Sequence, residues 1–460
     1  LYRQNEELAG RPLFPSYSYR PDLLDIFSTK DPRPFFQALL GALSLKGTYN
    51  TGVLPLGDRV VPLVEDHAAS YALDADTLET LRHSGVSKIP GIGPESLTYM
   101  RQTITAHPKL DPQTGRRFLY GVIPAEAPFM GLRLNTVTDS GELEFKGFVK
   151  PSRGRFIFPK PPGTDHLAEP LKALGIELGA GFGMSYFPQP HDIAVAGDML
   201  CVPMHPIGAN MADLVSVGPA DGLFWDKGSP SELVFIDHHT FEEKLRVEIS
   251  PPIAAFHWPW GRVLENGQIE LVTVEHEDLD AALGHGLERQ LNDSQNGANI
   301  GGKLIRLSID PKTRRVEKTV LSDSPVELPV TDRRFEGDNS NSLYCVAALD
   351  NARAMNAIQR FDITRTSGGP FQTWQAPEGH IVSEPTFVPA KESTRRGHGD
   401  APGFLVTVVH HQDGGRPGSY VAILDAEQVD RGPVARFDLP HAVPFGLHTA
   451  FQKASLDEAR

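Results

Sequence analysis

Cysteine is nearly absent. Cys201 and Cys345 are the only thiols in 460 residues, too few for a disulfide framework and in keeping with a reducing compartment. Basic charge is also short: 44 Lys and Arg face 58 Asp and Glu, a net charge of −14. That argues against a nucleic-acid binder, because phosphate contacts need clustered cations. No apolar run reaches the length of about 18 residues that a membrane-crossing helix requires. There is no Gly-x-Ser-x-Gly elbow, phosphate-binding loop or dinucleotide fingerprint, so nucleophilic hydrolysis and nucleotide chemistry have no support. A strict repeat of about 40 residues and a Trp-Asp signature are both missing, which disfavours a WD40 array. No signal peptide follows Leu1, and without one the sequon Asn292-Asp293-Ser294 reads as chance.

What is plentiful is punctuation. With 43 Gly and 39 Pro the chain suits many short antiparallel strands. Thr48–Leu56 and Arg59–Glu65 read as a hairpin turning at Gly57-Asp58, and Asp74–Glu79 as a turn and strand restart. Further strand-length runs are Phe118–Ile123, Gly131–Val137, Leu143–Val149, Asp192–Val202, Leu233–Asp237, Gln268–Val274, Gly302–Ile309, Leu343–Leu349, Phe404–His410 and Ser419–Leu424. Loops are expected at Pro159–Asp165, Gly179–Gly183 and Lys391–Gly403. The coarse class is all-β, and on pattern alone a two-sheet sandwich stands beside a propeller. Asp31–Lys46 is the one clear helical stretch, with Pro34 in its first turn and Phe35, Phe36, Leu39, Leu40 and Leu43 along one stripe.

Four histidines stand at the edges of strand-like runs in separate parts of the chain: His107, His191, His257 and His448. Before His448, Pro444 fixes φ and Gly446 permits a positive one, so a tight bend is expected there. The four lie too far apart for a local helical pair, so only a fold that returns repeatedly to one point could gather them. Imidazole suits Fe, Cu, Zn and Ni, and the ligand type does not choose the metal. Asp237-His238-His239 looks like a metal or triad fragment, but at a strand end followed by Thr-Phe-Glu-Glu it reads as a polar turn. His410 and His411 are adjacent on a strand and point to opposite faces. His205, His276 and His441 have no supporting motif.

Six segments, in order, resemble the carotenoid cleavage oxygenase family: AHPKLDPQTGR around His107, PHDIAVAGDMLCV at Pro190–Val202, AFHW at Ala255–Trp258, SEPTFVPA at Ser383–Ala390, GDAPGFLVTVV at Gly399–Val409 and LPHAVPFGLH at Leu439–His448. The resemblance implies a single domain over residues 1–460: a seven-bladed β-propeller with a helical and loop cap over an axis that bears Fe(II) on His107, His191, His257 and His448. It further implies glutamates behind the ligands. Glu65 matches the partner of His191 and Glu384 that of His448. The third glutamate should precede a Phe-Pro-Arg-Ile type segment, but Thr331–Asp338 departs from that pattern, and Glu336 is the expected partner of His257. Thr51 falls where family members place a small branched residue beside the open iron position.

The activity so implied is O2-dependent cleavage of a carbon–carbon double bond in a carotenoid, apocarotenoid or stilbene, giving two carbonyl products. A double-bond isomerase and an inactive polyene- or protein-binding propeller are the alternatives. Phe35, Phe36 and Leu40 are expected to touch a membrane peripherally at the tunnel mouth. The expected location is the cytoplasm or a plastid or other organelle interior. The family's N-terminal segment, with its Gly-Asp-Gly strand, is expected to be missing from this chain.

Overall fold

A computed structural model describes residues 51–63, 72–81, 105–111, 114–123, 131–138, 143–173, 176–179, 183–185, 190–210, 223–277, 301–337, 340–350, 352, 354–365, 369–390, 402–413, 416–444 and 446–452, together with the short parallel strands Phe14–Pro15 and Leu45–Lys46. The described chain is mostly strand. Gly52–Leu56 and Arg59–Leu63 form the first hairpin, with Gly57 supplying the positive φ of its turn, and Ala72–Asp74 and Thr80–Leu81 complete a four-stranded antiparallel sheet. In the turn of that second pair, Asp74 accepts from the backbone and hydroxyl of Thr77.

The same plan repeats along the chain. Lys109–Leu110, Arg117–Ile123, Gly131–Val137 and Leu143–Val149 form a second meander, and Ala194–Ala196, Met199–Met204, Ser231–Asp237 and Glu243–Ile249 another. Beyond them, Arg315–Val330 joins two meanders into one eight-stranded sheet. Its first part pairs with Gly302–Asp310 and its last part with Ser342–Ala347, across a break in register. A final sheet is built on the long hairpin Gly403–Asp413 and Arg416–Asp425.

Neighbouring sheets pack face to face in chain order, which is the propeller arrangement. Phe118 and Leu134 of one meander meet Val195 and Val234 of the next, and Phe235 and Val247 meet Leu271 and Ile305 of the one after. Inner strands buried on both faces therefore lose the polar–apolar alternation of a one-sided sheet: nearly all of Ile269–His276 is buried, whereas the edge strand Pro433–Asp438 is largely exposed. The last described residues return to the first sheet, where the His448 N–H donates to the Thr51 carbonyl at 3.0 Å.

Several expectations need correction. Asp192–Val202 is two strands around a Gly197-Asp198 turn, not one. The region expected as loop at Pro159–Asp165 leads into a 3-10 turn, Asp165–Leu167, and a short helix, Ala168–Ala173. Leu45 and Lys46 are extended, so the stretch 31–46 is not helical to its end; Phe35, Phe36, Leu39, Leu40 and Leu43 lie outside the described residues. Gly446 does not take a positive φ. Cys201 and Cys345 are buried free thiols.

Candidate metal centre

The four histidines arrive from separate segments, and the fold brings them together. His107, His191 and His257 stand beside the edge strands Lys109–Leu110, Ala194–Ala196 and Ala254–Ala255, His448 in the tail after the last strand, and the potential ligand nitrogens of the four all lie within 4.8 Å of one another. The Nε2 atoms of His107 and His191 are 2.9 Å apart. The His107 ring stands edge-on to those of His257 and His448, with centroids 5.1 and 4.2 Å away.

Behind the rings a buried hub sets the spacing of three segments. Asp192, next to His191, accepts from the Trp258 N–H at 2.8 Å and from Lys109 Nζ at 2.9 Å. Lys109 also donates to the Trp258 carbonyl at 3.1 Å. The residues one or two places beyond His107, His191 and His257 are thereby tied to one another. Tyr120 adds a bond from its hydroxyl to the His191 carbonyl at 2.6 Å. Such a buried ion pair persists only when its hydrogen bonds are complete, as most are here.

Carboxylates fix two of the rings. Glu384 Oε1 lies 2.9 Å from His448 Nδ1, and its other oxygen accepts from the Thr449 N–H. Glu327 Oε2 lies 2.6 Å from His257 Nδ1. An ionised carboxylate only accepts, so both Nδ1 atoms carry a proton and Nε2 is the atom left to ligate. His257 Nε2 is buried and has no hydrogen-bond partner, as expected of an atom kept for a ligand. Burial raises the pKa of Glu384 and Glu327, but their histidine partners outweigh it, and both carboxyls end below their ordinary value, Glu327 well below. Burial, reinforced by the surrounding rings and Lys109, holds His107 well below the ordinary imidazole value, so that ring is neutral.

The partner of His257 is therefore Glu327, not Glu336. Glu336 is buried, accepts from the Leu110 N–H at 2.8 Å and stands 3.7 Å from Lys109; burial raises its pKa against the pull of Lys109. In Glu327-Leu328-Pro329 the acid stands two places before a proline within a strand, whereas Glu384 in Ser383-Glu384-Pro385 stands directly before one and between strands. The structural device is a register shift between Glu327 and Val330, where Leu328 adopts a φ of +49°. A left-handed leucine is strained, and such strain gathers where a fold must aim a particular side chain. Sequence reasoning also passed over His276, whose Nε2 lies 2.7 Å from the second oxygen of Glu327. Glu65 lies outside the described residues. Thr51 is half-buried beside the cluster, its backbone bound to His448 and, through its N–H, to Leu63. A cavity of about 60 Å³ reaches the rings on one side; its lining includes Lys109, Asp192, Arg333 and Glu336, so among the described residues the space touching the histidines is polar.

A fold that gathers four imidazoles, two of them oriented by buried glutamates, agrees with a family-wide comparison. The family model of the retinal pigment epithelial membrane protein, RPE65, matches residues 2–453. The chain belongs to this RPE65/carotenoid oxygenase family. Isoeugenol monooxygenase of Pseudomonas nitroreducens is 24% identical over 423 residues, covering 87% of this chain and 74% of that protein. Apocarotenoid-15,15'-oxygenase of Synechocystis is 27% identical over 419 residues, covering 88% and 73%. Among solved structures, cobalt-substituted Synechocystis ACO superposes with a TM-score of 0.66 at 21% identity, covering 90% of this chain and 76% of that one. These relatives are named as oxygenases, and this member of the carotenoid oxygenase family is an enzyme of the same broad class.

Proposed function

We propose that the chain is a non-haem Fe(II)-dependent oxygenase that cleaves a carbon–carbon double bond of an apolar polyene or stilbene-type alkene with O2, giving two carbonyl products. The observation that carries the reading is the four-histidine cluster with His257 Nε2 left bare and buried at its centre. The donor set fits the metal: four neutral nitrogens leave the full charge of a divalent first-row ion in place and leave coordination positions open. Bound there, iron would supply the one-electron and O2 chemistry that side chains lack.

The protein's own residues hold and aim. His107, His191, His257 and His448 would be the ligands. Glu384 and Glu327 keep the protons of His448 and His257 on Nδ1, and Glu65 would do the same for His191. Thr51 would stand beside the open position, restricting what approaches it. The buried hub of Lys109, Asp192 and Trp258 holds three ligand segments at fixed spacing, which matters because a small misplacement of reacting groups costs rate steeply.

A complete ring of seven blades, a helical cap over the axis, and a membrane-touching patch of Phe35, Phe36 and Leu40 belong to the same proposal. So does residence in the cytoplasm or an organelle interior. These rest on the family resemblance and the sequence pattern.

The test is anaerobic purification with metal analysis, then product analysis under ¹⁸O2 with an apocarotenal, isoeugenol and resveratrol as substrates. One iron per chain and labelled carbonyl products are expected. A substrate whose double bonds are isomerised with no O2 consumed would overturn the cleavage reading. A chain that binds no metal would overturn the metal centre as well.

A further inference from the structure

A second histidine cluster lies apart from the axis, where two hairpin tips meet. One tip is the Gly197-Asp198 turn between Ala194–Ala196 and Met199–Met204; the other is the turn after Ser231–Asp237. The His238 N–H donates to the Asp198 carbonyl at 2.9 Å, so the two turns are joined through the backbone. Asp237 stiffens the second tip by accepting from the N–H groups of His239 and Thr240, each at 2.9 Å. His238 is buried and stacked on Phe118, with centroids 5.3 Å apart and planes 19° from parallel. His239 and Asp198 face solvent, with side-chain exposures of 54% and 72%.

Three ligating atoms converge there. The Nε2 atoms of His238 and His239 are 3.1 Å apart, and Asp198 Oδ1 lies 3.9 and 3.8 Å from them. The circle through three points with those separations has a radius of about 2.1 Å, which is the ligand distance of zinc to imidazole nitrogen and carboxylate oxygen. We infer that Asp198, His238 and His239 form a second metal site, facing solvent at the rim of the sheet, for a borderline divalent ion such as Zn²⁺, Cu²⁺ or Ni²⁺.

Two imidazoles select these ions over Mg²⁺ and Ca²⁺, which take oxygen donors. The backbone bonds hold two of the three ligands in place before any ion arrives, so little ordering is needed on binding. With three protein donors the remaining positions face water, the arrangement of an open site rather than a closed structural one. The cluster shares no residue with the axial histidines, so the inference stands independently of the function proposed above.

The experiment is equilibrium dialysis of the full chain against micromolar Zn²⁺, comparing wild type with His239→Ala and Asp198→Ala. Both changed residues are exposed, and circular dichroism and thermal melting confirm that the variants stay folded. Wild type is expected to bind one equivalent of zinc more than either variant. Equal stoichiometry in all three proteins overturns the site. Loss in His239→Ala with full retention in Asp198→Ala overturns the three-ligand assignment. With Cu²⁺ as a second probe, the extra equivalent should show nitrogen hyperfine structure that His239→Ala removes.

Discussion

Replacing Glu327 by Gln is the sharpest perturbation of the centre, because the two oxygens of this carboxylate satisfy two rings at once. His257 Nδ1 is 2.6 Å from one oxygen and His276 Nε2 is 2.7 Å from the other. Both nitrogens must donate, since the carboxylate can only accept. Gln offers one acceptor oxygen and an amide that donates, so one ring must change tautomer. If the oxygen faces His257, His276 shifts its proton to Nδ1, which is buried and has no partner. If the oxygen faces His276, His257 carries its proton on Nε2 and cannot ligate. Either way a charge-assisted hydrogen bond worth roughly 1.5–3 kcal/mol is lost. At about 1.4 kcal/mol per tenfold, metal affinity should fall by roughly 10- to 100-fold, the range usual for a carboxylate behind a ligand. Anaerobic competition with a chelator measures it, using Co²⁺ so that the absorption spectrum reports ligand number. His276→Leu keeps the Glu327–His257 bond and should weaken binding by less than about tenfold. Unchanged affinity and spectrum in Glu327→Gln would refute the tautomer argument.

Other substitutions test other parts. Lys109→Met leaves Asp192 and Glu336 buried with their cation gone and should cost about 3–5 kcal/mol in urea unfolding; a loss under 1 kcal/mol would mean the pair behaves like a surface bridge. Glu384→Gln should lower metal affinity by roughly 10- to 100-fold with little change in melting temperature, and a collapse of the fold would show its role to be structural. In Gly52→Ala the new Cβ meets the Ala106 carbonyl oxygen at 2.5 Å, next to His107, for an expected loss of about 1–3 kcal/mol, read from the shift in urea midpoint. Burial lowers the pKa of His205 from 6.5 to about 4, with backbone carbonyls opposing. The folded state therefore refuses a proton that the unfolded chain accepts, and stability present above pH 6.5 drains away as pH falls toward 4. The full difference is roughly 3 kcal/mol. His205→Gln should be less acid-sensitive than wild type between those pH values, and parallel melting-temperature curves would contradict the assignment.

What the sequence disclosed follows from how local each signal is. The hairpin at Gly57-Asp58 is written in adjacent residues and is found where expected. Glu327 was missed because its role depends on a bulge at Leu328, and no short-range rule places a leucine at positive φ. His276 was missed for a related reason: its partner is 51 residues away. The reading of Asp237-His238-His239 as a polar turn describes the backbone correctly. The carboxylate that changes its meaning, Asp198, comes from a neighbouring hairpin. Alternation failed to mark Ile269–His276 as one face in, one face out, because sheets cover both of its sides.

The bond from His448 to the Thr51 carbonyl bears on how the protein is made. The ligands span 448 − 107 = 341 positions, and the last of them reaches the axis only when the tail docks on the first sheet. Domains emerging from the ribosome begin to fold from the N-terminal side, so His107, His191 and His257 are synthesised long before the fourth ring exists. A three-histidine intermediate would hold an ion more loosely than the finished set. Full-strength binding thus comes only once His448 has been made and docked, and a product ending between Asp438 and His448 would have every described sheet strand but no closed centre. Tight metal retention is in that sense a checkpoint on synthesis, reporting that the chain has been made past His448 and that this segment has docked.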